Sequence, residues 1–310
     1  MHNKIIVILG PTASGKTDIS IKLAKKFNGE IVSADSRQVY KALNIGSGKV
    51  TKKEMKGVPH HLLDVASPKR KFTVAQFQKL ALKKIQQIQK RGDIPFLVGG
   101  SGFYIQSVVD GLIIPEVKPN WKLREKLERK SKAELFLMLK KLDSKRAESI
   151  DKNNPRRLIR AIEIVMATGK PNPKIGRRPT SPNFDILQIG IKKTPEELKK
   201  AIYKRLLKRL NSSAGGRMVQ EVKNLHKNGL SWRRLEELGL EYRYVAQYLQ
   251  EKSSLNTAQD LLAYQEMINK IQIESEHFAK RQMTWFKRDT RIKWISNYKE
   301  AENLIKKIKK

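Results

Sequence analysis

No cysteine occurs among the 310 residues, which excludes disulfides and thiolate metal sites. Carboxylates are in short supply, with 30 Asp and Glu against 65 Lys and Arg. The formal net charge of +35 is far beyond what solubility requires and has the sign that attracts phosphate backbones. A nucleic-acid partner is the leading account, and a lysine-rich composition shared by a whole proteome is the other. No apolar run is long enough to span a bilayer and no charged-then-apolar leader opens the chain, so the cytoplasm is the expected location. Internal repeats are absent as well. What is present is a hydrophobic content of 39%, enough for one large core or two modest ones, and two lobes are expected.

Five apolar residues, Ile5 to Leu9, precede the stretch GPTASGKT, and apolar positions at Ile19, Leu23, Ala24 and Phe27 follow at helical spacing, which reads as strand, loop and helix. A second short strand, GEIVSA, runs into Asp35; a helical pattern from Val74 to Gln89 leads to another buried-type strand, Ile94 to Val98. Strands alternating with helices imply a parallel sheet covered on both faces. From Trp121 to Ala167 the sequence is helical and charged without a strand-like run, and it closes in the breaker-rich TGKPNPKIGRRPTSP. Phe184 to Ile191 reads as a returning strand, and the rest is mostly helical up to a basic tail. The expected fold class is therefore α/β, a P-loop NTPase-like parallel-sheet core with an inserted helical domain: core over 1–115, insert over 116–183, core again over 184–310.

Gly10-Pro11-Thr12-Ala13-Ser14-Gly15-Lys16-Thr17 fits the phosphate-loop pattern G-x-x-x-x-G-K-[ST] in its required context between strand and helix. Its glycines let the backbone wrap a phosphate, successive N–H groups and the helix N-terminus point at the anion, Lys16 neutralises it, and the Thr17 hydroxyl is placed to hold Mg²⁺. An ATPase or GTPase also needs a strand ending in an acid to position its metal, but Ile94 to Val98 runs into Gly99-Gly100. Asp35, at the end of the second strand, is the better placed carboxylate. Two readings of it stand side by side: a group in the ligand crevice, or, with Gln38 three residues on, a capping box opening a helix. His60 and His61 are read as structural, because adjacent residues on one element point different ways and no acidic cluster accompanies them.

LGPTASGKT, IVSADSRQVY, IGSGK, VPHHLLDV, RGDIPFLVGGSGFYIQSVVDGL, NNPRRLIRAIEI and AKRQMTWFKRD follow one another in this order, and over roughly residues 4 to 294 the chain resembles the tRNA dimethylallyltransferases. These enzymes attach a dimethylallyl group to N6 of adenine 37, beside the anticodon of tRNA. The resemblance implies that the loop grips the diphosphate of dimethylallyl diphosphate, that Asp35 is the general base on N6, and that Ser101, a hydroxyl where many relatives carry threonine, lies beside the substrate. It also implies that Arg209 reaches the diphosphate. The chain departs from its relatives nearby, with Asn211 where an aspartate is common, Ser213 where a methionine is usual, and Gly215-Gly216 weakening the helix that presents Arg209. The absence of cysteine rules out the C-terminal zinc finger of some eukaryotic members.

For tRNA, the resemblance points to Asp35, Ser36, Arg37, Gln38 and Ser101, and to the run Arg156, Arg157, Leu158, Ile159, Arg160 in the insert, whose arginines share a helix face suited to phosphates. In RQMTWFKRD the basic residues, Arg281 among them, are read as facing RNA and the pair Trp285 and Phe286 as core, with stacking on an extruded base as the other possibility. Flipping of adenine 37 is physically required, since N6 in a stacked loop cannot meet an electrophile held beside the phosphate loop. A monomer acting on tRNA and dimethylallyl diphosphate with Mg²⁺, away from any membrane, is the expectation. Its rivals are a small-molecule kinase sharing the loop and sheet, which would use ATP, and an RNA-binding module with a dead loop.

Overall fold

A computed structural model describes residues 3–115, 117–173, 184–210, 217–252 and 256–309. The atypical stretch Asn211 to Gly216 and most of the breaker-rich segment after Thr168 lie outside the described residues. The chain divides into two compact units, Met1–Val109 with Pro182–Lys310, and Asp110–Ser181.

The first unit starts β1 (Lys4–Leu9), α1 (Lys16–Lys26), β2 (Gly29–Ala34), α2 (Lys52–Met55), β3 (His60–His61), α3 (Val74–Lys90), β4 (Ile94–Gly99) and α4 (Gly102–Val109). The second unit holds α5 (Trp121–Glu128), α6 (Lys132–Leu142), α7 (Ser144–Ser149) and α8 (Pro155–Thr168). The first resumes with β5 (Asp185–Ile191), α9 (Pro195–Leu210), α10 (Arg217–Lys227), α11 (Trp232–Leu238), α12 (Leu240–Glu251), α13 (Thr257–Phe286), β6 (Lys293–Ile295) and α14 (Tyr298–Lys309).

The six strands form one sheet in the order β3-β2-β4-β1-β5-β6, and every pair is parallel. Because side chains alternate across a strand, β1 sends Ile5, Val7 and Leu9 to one face, against Phe77, Ala81, Tyr104 and Phe286, and Ile6 and Ile8 to the other, against Leu23, Ala24, Ala301 and Ile305. A strand buried on both sides has no polar face to show, and this is why β1 reads as an unbroken apolar run. Two strands escaped the sequence reading: β3 and β6, of two and three residues, are too short for any period to register. His61 in β3 contacts the buried Glu30 carboxylate at 2.5 Å and His60 bonds the Val58 carbonyl, the structural use expected of this pair.

The second unit packs its own apolar core from Leu127, Leu135, Leu139, Leu158, Ile159 and Ile162. Its helices start on side-chain caps: Asn120 for α5, a capping box of Ser131 and Glu134 for α6, and Asn154 before Pro155 for α8. A buried carboxylate, Glu163, holds the unit together from within. It accepts the Asn120 N–H at 2.7 Å, a two-pronged ion pair from Arg124 at 2.9 and 2.7 Å, and a further bond from Arg160.

Candidate functional site

β1 ends at Leu9 and the chain enters the loop Gly10-Pro11-Thr12-Ala13-Ser14-Gly15, with α1 starting at Lys16. Gly15 caps the helix at φ 85°, a left-handed conformation with open space around its Cα, which glycine adopts without strain. Ala13 also has positive φ, at 61°, and its methyl group packs against Leu198, Ile202 and Ala279. The loop is closed from outside by Gln282 on α13: its Oε1 accepts the Thr12 N–H at 2.8 Å and its Nε2 donates to the Gly100 carbonyl at 2.8 Å. One amide thus ties the phosphate loop to the end of β4, a role the sequence reading missed in RQMTWFKRD. The Lys16 ammonium turns back onto the Pro11 carbonyl at 3.1 Å. Burial, with Arg205 beside it, lowers its pKa to about 8 against the opposing pull of Asp35.

Asp35 follows β2 directly, on the strand next but one to β1. Its Oδ1 accepts the N–H groups of Arg37 at 2.8 Å and Gln38 at 3.3 Å. The capping reading is therefore half right: Asp35 caps a tight turn closed by Tyr40 N–H on the Arg37 carbonyl, and no helix follows. Ser101 stands against the same turn, its Oγ accepting the Ser36 N–H at 2.9 Å and its own N–H bonding the Ala34 carbonyl. Asp35, Ser36, Arg37, Gln38 and Ser101, expected together, are together. The β4 end beside them carries Gly99 and Gly100 and no acid.

The IGSGK segment closes this side of the site. Lys49, with its side chain 6% exposed, donates to the carbonyl of Tyr40, to Asn44 and to the Asp64 carboxylate, so it links the Asp35 turn to the PHHLLD segment. Glu221 on α10 accepts three successive N–H groups, from Asn44, Ile45 and Gly46, at 2.9, 2.7 and 3.0 Å, and its neighbour Tyr242 accepts that of Ser47.

Arg209, expected at the diphosphate, lines a small cavity with Thr12 of the phosphate loop. Its guanidinium is taken up by Glu241 at 2.6 Å and by the Gly46 carbonyl at 3.0 Å. Arg205, one helical turn earlier on α9, also faces the phosphate loop, with Nη1 3.4 Å from Thr12 Oγ1 and Nη2 3.4 Å from the Gly48 carbonyl.

The run proposed for RNA in α8 also divides. Leu158 and Ile159 are buried in the second unit's core, and Arg160 is committed to Glu163 and to the Val117 carbonyl at 3.0 Å, so these three side chains do not form an open track. Arg156 and Arg157 are exposed. They sit in the first turn of α8, where the helix dipole disfavours cations by about 0.3–1 kcal/mol each, so helix stability does not account for them. Arg281 on α13 is exposed, 3.8 Å from Glu274. Phe286 is core, as expected, whereas Trp285 only partly is: it packs edge-on to Phe103 and lines a cleft of about 350 Å³ with Leu9, Gly102, Gln106 and Arg288.

No group of three or more His, Asp or Glu able to hold a metal ion exists among the described residues. The Ser14 hydroxyl is buried with no hydrogen-bond partner, and Thr17 is exposed at the start of α1. A hydroxyl pair of this kind fits an Mg²⁺ that takes most of its ligands from phosphate oxygens and water, and does not fit a metal caged by protein.

The family model described as IPP transferase matches residues 38–289. A tRNA dimethylallyltransferase of Carboxydothermus hydrogenoformans is 40% identical over 316 residues, covering 99% of this chain and 97% of that one. The crystal structure of the full-length tRNA isopentenylpyrophosphate transferase from Bacillus halodurans matches with a TM-score of 0.69 and 32% identity, over 98% of this chain and 95% of that one. A eukaryotic dimethylallyltransferase acting on tRNA matches with a TM-score of 0.73 and 27% identity, over 91% of this chain and 69% of that one. The family model spans most of the chain and the bacterial relatives align over nearly their full lengths: this chain belongs to the IPP transferase family.

Proposed function

We propose that the protein transfers the dimethylallyl group of dimethylallyl diphosphate to N6 of adenine 37 in tRNA and releases diphosphate. The observation that carries this reading is the placement of Asp35. A carboxylate stands at the crevice end of β2 beside Ser101, while the strand next to the phosphate loop ends in two glycines, so the site has a base for a substrate proton and lacks the acid of a phosphoryl-transfer enzyme.

In the reaction the carbon–oxygen bond of the allylic diphosphate breaks with both electrons leaving on oxygen. N6 of adenine forms the new bond to carbon, and Asp35 takes the N6 proton. Exocyclic adenine nitrogen is a poor nucleophile, and removal of its proton as the bond forms is the carboxylate's contribution. The second oxygen of Asp35 remains for that proton, because Oδ1 is used by the turn. Loop N–H groups and Lys16 hold the leaving diphosphate. Mg²⁺, held by Thr17 and diphosphate oxygens, would offset the charge that develops there. Arg156 and Arg157, with Arg37 and Arg281, are the cations assigned to tRNA phosphates. The enzyme is assigned as a cytoplasmic monomer; no helix among the described residues is long and apolar enough to cross a membrane.

The test is incubation with dimethylallyl diphosphate, Mg²⁺ and unmodified tRNA, followed by digestion to nucleosides and mass spectrometry. Adenosine carrying one five-carbon unit, with ATP left intact in a parallel assay, is the expected result. ATP cleavage without prenylated adenosine would overturn the reading in favour of a kinase.

A further inference from the structure

Four successive N–H groups converge on one side chain of α10. Those of Asn44, Ile45 and Gly46 donate directly to the Glu221 carboxylate, and that of Ser47 donates at 3.0 Å to the Tyr242 hydroxyl, which itself donates to Glu221 at 2.8 Å. Burial, with Glu221 beside it, holds the Tyr242 phenol well above its ordinary pKa, so the hydroxyl keeps the proton it donates. A turn whose N–H groups point inward forms a concavity for an anion, and hydrogen bonds to a charged acceptor are the strong ones. Here the anion is the chain's own carboxylate, met by backbone dipoles and a phenol. The first glycine of IGSGK makes the approach possible, because a Cβ on Gly46 would lie 2.7 Å from Tyr242 Cζ.

The turn held in this way supplies no reacting group, but its far end reaches the base. It closes through the Gly48 N–H on the Ile45 carbonyl and the Lys49 N–H on the Asn44 carbonyl, so the placing of residues 44–47 is handed on to Gly48 and Lys49. Both of these hold the Asp35 turn. The Gly48 carbonyl accepts from Gln38 Nε2 at 3.2 Å, and Lys49 Nζ donates to the Tyr40 carbonyl at 2.8 Å. The N–H groups of Arg37 and Gln38 then fix Asp35 Oδ1. A chain of bonds thus runs from α10 to the Asp35 carboxylate, and no residue of the phosphate loop takes part in it.

Resting on the activity assigned above, we propose that Glu221 is a positioning residue for the base, with Tyr242 as its second arm: it fixes the turn at 44–49 and, through Gln38 and Lys49, the direction in which the second Asp35 oxygen meets N6. Proton removal depends on that direction, and a misplacement of about 1 Å caused from a distance can cost about 10²-fold in rate.

The experiment uses the full chain as parent, Glu221→Gln, Tyr242→Phe, Asp35→Asn, and each of the first two combined with Asp35→Asn. Glutamine keeps the shape of Glu221 but brings a donor group against backbone donors, and phenylalanine removes only the bridging hydroxyl. Single-turnover prenylation of tRNA at saturating substrates is expected to slow about 10- to 100-fold in Glu221→Gln and less in Tyr242→Phe. In the Asp35→Asn background either change should cost no more than about twofold, because a residue that acts through the base has nothing left to aim. Hydrogen exchange read by mass spectrometry adds a measure independent of activity: the segment carrying the Arg37, Gln38 and Tyr40 N–H groups should exchange faster in both single variants. Should Glu221→Gln fail to fold, Tyr242→Phe carries both readouts. Losses that multiply fully with that of Asp35→Asn, or parental exchange in this segment, would overturn the proposal. A parent that forms no prenylated adenosine would instead overturn the activity on which it rests, and the exchange rates would still decide whether Glu221 holds the turn.

Discussion

Lys16 is a cation whose pKa in the folded chain, about 8, lies below its ordinary value of 10.5, chiefly through burial. Between those two values the unfolded chain holds more protons than the folded one, so the charge costs stability below pH 8 and the cost fades as pH rises towards 10.5. A bound diphosphate pulls the pKa back up. We therefore expect proton uptake on diphosphate binding at pH 9 and an affinity that falls above pH 8, approaching tenfold per unit. Calorimetry in two buffers of different ionisation enthalpy measures the proton count, and a count of zero at pH 9 would remove the argument. For Asp35, the informative change is to asparagine, because its side-chain oxygen still accepts the Arg37 and Gln38 N–H groups and preserves the turn. Asp35→Asn should reduce the chemical step by about 10²-fold or more while tRNA still binds; single-turnover rates equal to the parent's would leave Asp35 with the turn alone. The loop and Asp35 were legible because each is a short contiguous motif. Arg205 was not, since it lies one helical turn before Arg209 on the same face of α9, and spacing alone does not say that it too meets Thr12.

At the scale of elements, α8 carries two kinds of arginine that a motif string does not separate. Arg156 and Arg157 project from its first turn into solvent, whereas Arg160 points back into the second unit. Replacing the first two with alanine should lower the slope of log K for tRNA against log salt by roughly one to two units and leave the melting temperature unchanged. Arg160→Ala should do the reverse, costing about 1–3 kcal/mol because Glu163 keeps Arg124 but loses its other cation. Thermal unfolding followed by circular dichroism, beside binding at several salt concentrations, distinguishes them; the reverse pattern would place the RNA contact on Arg160. The long elements of the sheet and the helices of the insert were readable from periodicity and caps. Gln282 and Glu221 were not, because their partners are 270 and about 175 residues away in sequence and no local pattern encodes such a distance.

For the whole molecule, the charge of +35 governs encounter more than choice. At low ionic strength the chain should bind tRNAs with and without adenine 37 almost equally, and preference for the former should grow as salt removes the contribution common to all RNA. Affinity ratios measured from low to physiological salt test this, and a ratio that stays flat would mean that the basic surface itself discriminates. Sequence alone could not separate a tRNA-directed charge from a proteome-wide one, because lysines are spread along both units.

The bond from Gln282 to Thr12 and Gly100 also sets an order of events during synthesis. The phosphate loop leaves the ribosome well before the groups that complete it: β1 lacks its neighbour β5 until residue 191 has emerged, and the amide that closes the loop comes 270 residues after Thr12. A nascent chain can thus carry the complete loop motif with the loop still open on that side. Diphosphate should protect the finished protein from proteolysis and leave ribosome-bound chains stalled before Gln282 largely unprotected, so that the site matures only once α13 has emerged.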